Sequence, residues 1–385
     1  MRLYTFLPSC GRINWLHDAH QASQQPMNKL WSDGLGRLDP YVPGEQPKGA
    51  PLIKLNTNEN PYPPSPVVLA ALKDAANADL RLYPDPEGAA LKDVIAQMHG
   101  LLPANVFLGN GSDEVLAHVF RALLMHPMPI LFPDVTYSFY PVYCGLFGIA
   151  FETVPLDAGF SVRVEDYARP NGGIVLPNPN APTGIAIGLP QLRDLLAQNP
   201  GSVVVVDEAY VDFGAESAVS LVLDYANLLV IQTLSKSRSL AGLRVGFAMG
   251  DAGLIEALNI VKGSFNSYPL GRLALAGAEA ALLDSAHFEA TRRQVMASRD
   301  AVTQDLQQLG FEVLPSSANF VFARHARFSG KDLQQRLRER GILVRHFAKP
   351  RIDEFLRISI GTAGECDALV RALREVLAQA ATSAA

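Results

Sequence analysis

The sequence predicts an α/β chain, with a mostly parallel sheet covered by helices on both faces, followed by a smaller α+β domain. Three observations carry that expectation. From about residue 105, short Val/Ile/Leu-rich runs alternate with longer segments of helical period, the pattern of repeated βαβ units. The runs PILF (129–132), GGIVL (172–176), SVVVV (202–206) and NLLVI (227–231) lack polar alternation, which suits parallel strands buried on both faces. Beyond about residue 300 the pattern changes to a helix-like ASRDAVTQDLQQLG, a strand NFVFA, a helix around KDLQQRLRERG, then strands ILVRHF and FLRISIG.

In chain order, residues 1–26 mix Arg, His, Ser and Gln without the apolar core of a signal peptide and are expected to be a disordered extension. Met27 opens a more organised stretch. Residues 27–78 are expected to form an N-terminal arm and part of the small domain. Within them 40–66 read as an ordered loop, because the prolines of NTNENPYPPSP disfavour regular structure. Residues 79–297 form the large domain and 298–385 the small one, closed by a helix over ECDALVRALREVLAQAA, whose apolar residues fall at helical spacing.

With 385 residues the chain is long enough for two domains sharing a sizeable core. A formal net charge of −5 gives no electrostatic reason to seek nucleic acid or an anionic membrane, so a small metabolic partner is expected. No apolar run reaches the roughly 18 to 20 residues of a membrane span. Cys10, Cys144 and Cys366 are scattered and without a CxxC pair, which suggests neither a disulfide framework nor a zinc site and fits the cytosol.

The polar clusters that follow the apolar runs carry the chemistry. In GNGSDEVLAHVFRALL (109–124), Val115, Leu116, Val119, Phe120 and Leu123 mark one helix face, and Gly111 or Ser112 sits where the N-cap belongs. Such a helix start offers free N–H groups and the positive end of the macrodipole to a phosphate, although plain capping explains it equally. SVVVVDEAY sets Asp207 and Glu208 at a strand end. A nucleotide-hydrolase reading fails for want of a GxxxxGK[ST] loop, so the acid calls for another cation, such as a protonated ring nitrogen. TLSKSRSLAGLRVGF (233–247) places Lys236 among Thr233, Ser235 and Ser237, with Arg244 eight residues on. An amine beside an anion site suits covalent carbonyl chemistry with a phosphorylated aldehyde. His118 and His346 read as packed or surface residues, and the aromatic run YSFYPVY as core apart from Tyr137.

Taken together, LNTNENPYPPSP, RLYPDP, GNGSDE, PNAPTG, VVVDEAY, TLSKSRSLAGLRVG and LRISIGT resemble, in order and spacing from about residue 38 to 375, the fold type I pyridoxal-phosphate aminotransferases, and among them the histidinol-phosphate aminotransferases. The resemblance implies a seven-stranded large-domain sheet and pyridoxal 5′-phosphate as cofactor. It makes Lys236 the lysine that bonds the cofactor and moves the proton at substrate Cα, and Asp207 the partner of the ring nitrogen. Tyr137 would stack on the ring, and Tyr210 with Asn180 would attend its 3′ oxygen. Gly111, Ser112, Asp113, Thr233, Ser235 and Arg244 would hold the phosphate. Tyr83 would reach that phosphate from the neighbouring subunit of a homodimer with shared active sites. Tyr62, Arg345 and Arg357 would bind substrate. Histidinol phosphate and the glutamate/2-oxoglutarate pair are the implied substrates, in histidine biosynthesis in the cytoplasm. Ala181 departs from the family pattern, which carries Asn there, and removes one expected hydrogen bond to the 3′ oxygen. An aromatic aminotransferase, a phosphothreonine-type decarboxylase and the aminotransferase-like domain of a transcription regulator are the alternative readings.

Overall fold

The computed structural model describes residues 30–32, 34–46 and 52–383. The extension expected over residues 1–26 and Cys10 lie outside the described residues. Two compact units divide between Asp39 and Pro40. In the first, Leu35–Arg37 form a 3-10 turn. All other elements belong to the second.

In that unit the chain runs through β1 (Ile53–Leu55), α1 (Pro66–Ala75), α2 (Ala89–His99), β2 (Val106–Asn110), α3 (Gly111–Leu123), β3 (Ile130–Pro133), α4 (Tyr140–Phe147), β4 (Phe151–Val154), β5 (Ile174–Pro177), α5 (Leu189–Gln198), β6 (Val204–Asp207), β7 (Leu228–Thr233) and β8 (Val245–Gly250). Helices α6 (Ala252–Phe265), α7 (Arg272–Leu283) and α8 (Ser285–Gln308) follow. The chain then passes through β9 (Phe311–Val313), β10 (Phe320–His325), α9 (Gly330–Glu339), β11 (Ile342–His346), β12 (Phe355–Ser359) and α10 (Ala363–Ser383).

Seven strands form one sheet in the order β2-β8-β7-β6-β5-β3-β4. The pairs β7/β6, β6/β5, β5/β3 and β3/β4 are parallel, and β8 alone runs against both of its neighbours. The unbroken apolar runs have a physical cause in this layout. Ile174, Leu176, Val204, Val206, Leu228 and Val230 pack with α1, α2, α5 and α7 on one face. Their alternates Val175, Val205, Leu229 and Ile231 pack with α3, α4 and α6 on the other. A strand sandwiched this way has no face on which a polar residue would be solvated.

Five strands form the second sheet, in the order β1-β11-β12-β10-β9. Here the period-two alternation is visible. Leu356 and Ile358 on β12, with Ile342 and Val344 on β11, bury against α8, α9 and α10, while Arg345 and Arg357, register partners, face the opposite side.

Two expectations are corrected. The stretch 40–66 is not wholly irregular, because IKL (53–55) lies in the longest proline-free part of it and pairs in parallel with β11. The N-cap of α3 is Asn110, not Gly111 or Ser112. The helix opens at Gly111, whose φ of +79 is left-handed, and the Asn110 N–H is taken by the Glu114 carboxylate. No helix among the described residues is long and apolar enough to cross a membrane.

Candidate active site

Strands β3, β5, β6 and β7 run the same way, so the loops after them, with the loop that opens α3, open at one edge of the sheet. Open α/β sheets gather their ligand contacts at such an edge. The cavity there is lined by residues from all of these loops and closed from the other side by Arg345 and Arg357.

Ser112 and Asp113 stand in the first turn of α3, which directs its unpaired N–H groups and the positive end of its dipole at the cavity. The glycine at 111 has a specific reason. A Cβ there would lie 2.5 Å from Nη2 of Arg244, so only glycine lets the guanidinium rest on the helix start. Arg244 donates to Asp113 Oδ2 at 2.9 Å, and Tyr137 donates its hydroxyl to Asp113 Oδ1 at 3.0 Å. Thr233 and Ser235, hydrogen-bonded to each other at 3.0 Å, complete that wall.

Asp207 ends β6, is 5% exposed, and accepts a hydrogen bond from Tyr140 at Oδ2 (2.9 Å), while its Oδ1 is buried without a partner. Burial, opposed by the Tyr140 bond and aided by the nearby Asp113 charge, pushes its carboxyl up to about 6. A buried carboxylate with one oxygen unpaired is a site waiting for a cation or a donor. Its neighbour Glu208 points away. Its carboxyl takes bonds from Ser217 (2.6 Å), the Ala218 N–H (2.6 Å) and Gln232 (2.8 Å), and pins the following loop to β7.

Lys236 brings its amine to the same cavity, 3.3 Å from the Thr57 carbonyl and 5.7 Å from the centre of the Tyr210 ring. Asn60 holds the lysine's backbone by donating to the carbonyls of Lys236 (3.1 Å) and Ser237 (3.2 Å). Arg357 donates Nη2 to the Asn56 carbonyl at 3.0 Å, whereas its buried Nε has no partner. Burial first, and then the adjacent Arg345 charge, lower the Arg357 pKa. Two arginines in register on neighbouring strands and both lining the cavity invite an anion.

Ser112, Asp113, Tyr137, Asp207, Tyr210, Thr233, Ser235, Lys236, Arg244, Arg345 and Arg357 thus converge on one cavity, with Gly111 beneath Arg244. Asn180 stands apart from the others. It does not line the cavity, its amide being committed to the Val135 carbonyl (2.9 Å) and Thr183 hydroxyl (3.0 Å), and Ala181 lines it instead. Tyr62 and Tyr83 are not brought to it within this chain. Tyr62 packs against the small-sheet core, and Tyr83 stays 78% exposed, stacked on Tyr268. His118 is buried edge-on to Phe107, and His346 contacts the Asp353 carbonyl. Neither lines the cavity. Sequence reasoning missed Tyr41, Asn56 and Thr57 in the lining, and Tyr140 behind Asp207. The available signal for Tyr140 was a tyrosine in a run expected to be core, since a buried phenol requires a partner.

The sequence pattern of the family described as aminotransferase class I and II matches residues 50–373. The chain is 63% identical to "Histidinol-phosphate aminotransferase 1" of Methylococcus capsulatus over 352 residues, 91% of this chain and 99% of that one. It is 61% identical to "Histidinol-phosphate aminotransferase 2" of Rhizobium meliloti over 351 residues, 91% and 100% of the two chains. Among solved structures it is similar to the histidinol-phosphate aminotransferase from Sinorhizobium meliloti in complex with pyridoxal-5′-phosphate, at 26% identity and a TM-score of 0.78, covering 85% of this chain and 91% of that one.

Proposed function

The chain belongs to the class I and II aminotransferases, in their histidinol-phosphate branch, and from that premise we propose that its cavity binds pyridoxal phosphate and moves an amino group between histidinol phosphate and 2-oxoglutarate. The residues present fit the cofactor. Asp207 offers an unpaired buried oxygen to a protonated ring nitrogen, and the α3 start with Arg244, Thr233 and Ser235 offers donors to a phosphate. When bound, this cofactor supplies an aldehyde that joins an amine and an electron-poor ring that accepts the electron pair left at Cα.

The chain's own residues do the rest. Lys236 carries the nucleophilic amine and is the base that takes and returns the Cα proton. Asp207, held by Tyr140, keeps the ring nitrogen protonated. Tyr137, anchored by Asp113, would pack on the ring, and Tyr210 would attend its 3′ oxygen. Gly111, Ser112, Asp113, Thr233, Ser235 and Arg244 fix the phosphate end, so that the reacting carbon stays within reach of Lys236.

The observation that carries the substrate assignment is the pair Arg345 and Arg357, in register on neighbouring strands and facing the cavity that holds Lys236. Two positive charges match a phosphate dianion, and the same fork accepts the α-carboxylate of glutamate. One site then serves both half-reactions. The exposed Tyr83 suits the further reading of a homodimer in which Tyr83 serves the neighbouring site.

The test is steady-state transfer from histidinol phosphate to 2-oxoglutarate, measured as glutamate formed, in the wild type and in Arg357→Ala. The wild type turns over. The variant raises KM for histidinol phosphate about 10- to 100-fold, the loss of roughly 1.5–3 kcal/mol expected for hydrogen bonds to a charged group, with a smaller change in kcat. An unchanged KM would remove the arginine fork from the account.

A further inference from the structure

Behind Tyr210 lies a buried chain of hydrogen bonds that the proposed reaction does not yet use. Asn58 is 1% exposed and sits at φ 56, a left-handed conformation uncommon outside glycine and asparagine. Its N–H donates to Ser359 Oγ at 2.8 Å, and the Ser359 hydroxyl donates in turn to Asn58 Oδ1 at 2.7 Å. In this arrangement Nδ2 is the group that meets Tyr210, donating to the phenolic oxygen at 3.0 Å. Asn319, fully buried, holds the Asn58 carbonyl at 2.9 Å. Asn58 is therefore fixed on every side, and the segment at 58 is tied to the strand that carries Arg357.

The consequence falls on the Tyr210 hydroxyl. An oxygen that already accepts from Asn58 keeps its own proton free for another acceptor, and Tyr210 lines the cavity. The charged and titratable groups facing it do not compete for that proton. Lys236 and Arg357 are themselves donors, and the Tyr137 hydroxyl is directed to Asp113. The residue at 181 offers no help, because Ala181 packs with Ala318, Phe320 and Tyr210 as an apolar patch.

We propose that Asn58 is a positioning residue that turns the Tyr210 proton into the cavity, towards an anionic ring oxygen of the bound cofactor, and so replaces by orientation the second donor that Ala181 lacks. This rests on the reading of the cavity as a pyridoxal-phosphate site. A hydrogen bond donated to that oxygen favours its deprotonated form and lowers the pH at which the loaded enzyme's visible band changes.

The test is a pH titration of that band in the loaded enzyme. Asn58→Gly keeps the backbone, since glycine accepts the positive φ, and removes the amide without adding charge. The midpoint is expected to rise by up to ~1 pH unit, the scale of one neutral hydrogen bond, towards that of Tyr210→Phe. In a Tyr210→Phe background the same change should add nothing, because Asn58 acts only through that hydroxyl. Ser359→Ala, which releases the carboxamide to rotate, should raise the midpoint by less. An unmoved midpoint in both single variants, or an equal shift with Phe at 210, would overturn the inference. A wild-type protein that takes up no cofactor and shows no band would remove the cofactor reading beneath it.

Discussion

Replacing Lys236 with alanine is expected to lower turnover at least ~10⁴-fold, the upper end of what a positioned acid–base group contributes, because the residue serves as nucleophile and proton carrier at once. Among the residues lining the cavity it is the sole amine. The neighbours cannot substitute as base. Burial holds the Tyr137 phenol well above its ordinary value, and a guanidinium side chain offers no lone pair to accept the proton. The Asp207 carboxylate is turned to Tyr140 and the ring-nitrogen position. The variant should still fold, since Asn60 holds the backbone carbonyls of residues 236 and 237 and not the lost side chain. Borohydride reduction followed by peptide mapping checks the covalent part. The wild type should carry the cofactor mass on the peptide containing residue 236, and the variant should carry none. A variant turning over within tenfold of wild type would contradict the assignment.

The second large effect is expected from Asp207→Asn, about 10²- to 10³-fold in kcat, the range found when a single preorganised electrostatic contact to developing charge is removed. The carboxamide is nearly isosteric and can keep the Tyr140 bond, so the fold is retained. What it lacks is the negative charge that keeps a proton on the ring nitrogen. The same carboxyl sets a pH signature in the cofactor-free protein. Burial raises it from 3.8 to about 6, so the fold favours its protonated form. Stability contributed by that form is present at acid pH and is lost as pH rises from about 4 through 6, a loss on the order of 3 kcal/mol in total. The bound cofactor supplies a cation and removes that loss. Melting temperatures with and without cofactor should therefore diverge as pH rises through this window. In Asp207→Asn the gap should stay constant.

Much of the large domain was legible in the sequence because its strands are buried on both faces. The run SVVVV can exist only as a strand with apolar neighbours above and below it, and the polar residues that follow then have to sit at the sheet edge. Lys236, Asp207 and Arg244 came out of that logic. For Arg357, alternation between Leu356 and Ile358 gives only the face its side chain takes, and its substrate role came from the family resemblance. What escaped are contacts across long sequence separations. Nothing local to Tyr140 indicates that its hydroxyl meets Asp207, 67 residues away, and nothing in LNTNEN indicates that Asn58 spans to Ser359, 301 residues on. Strand β1 was hidden because its parallel pairing with β11 brings together segments almost three hundred residues apart, while the prolines around it argued locally for irregularity. The orientation of Asn180 escaped too, because adjacent residues of a loop point in different directions, and only the tertiary structure says that Ala181 faces the cavity.

The central claim is that this cavity uses Lys236 and its paired arginines to take the amino group of a phosphate-bearing substrate. Its most direct measurement is a single half-reaction: the cofactor-loaded enzyme is mixed rapidly with histidinol phosphate, and separately with tyrosine and with phenylalanine, and loss of the visible band is followed without an oxo-acid acceptor. Fast bleaching with histidinol phosphate and slow bleaching with the aromatics is the predicted result. The reverse order would contradict the account and assign the site to aromatic amino acids.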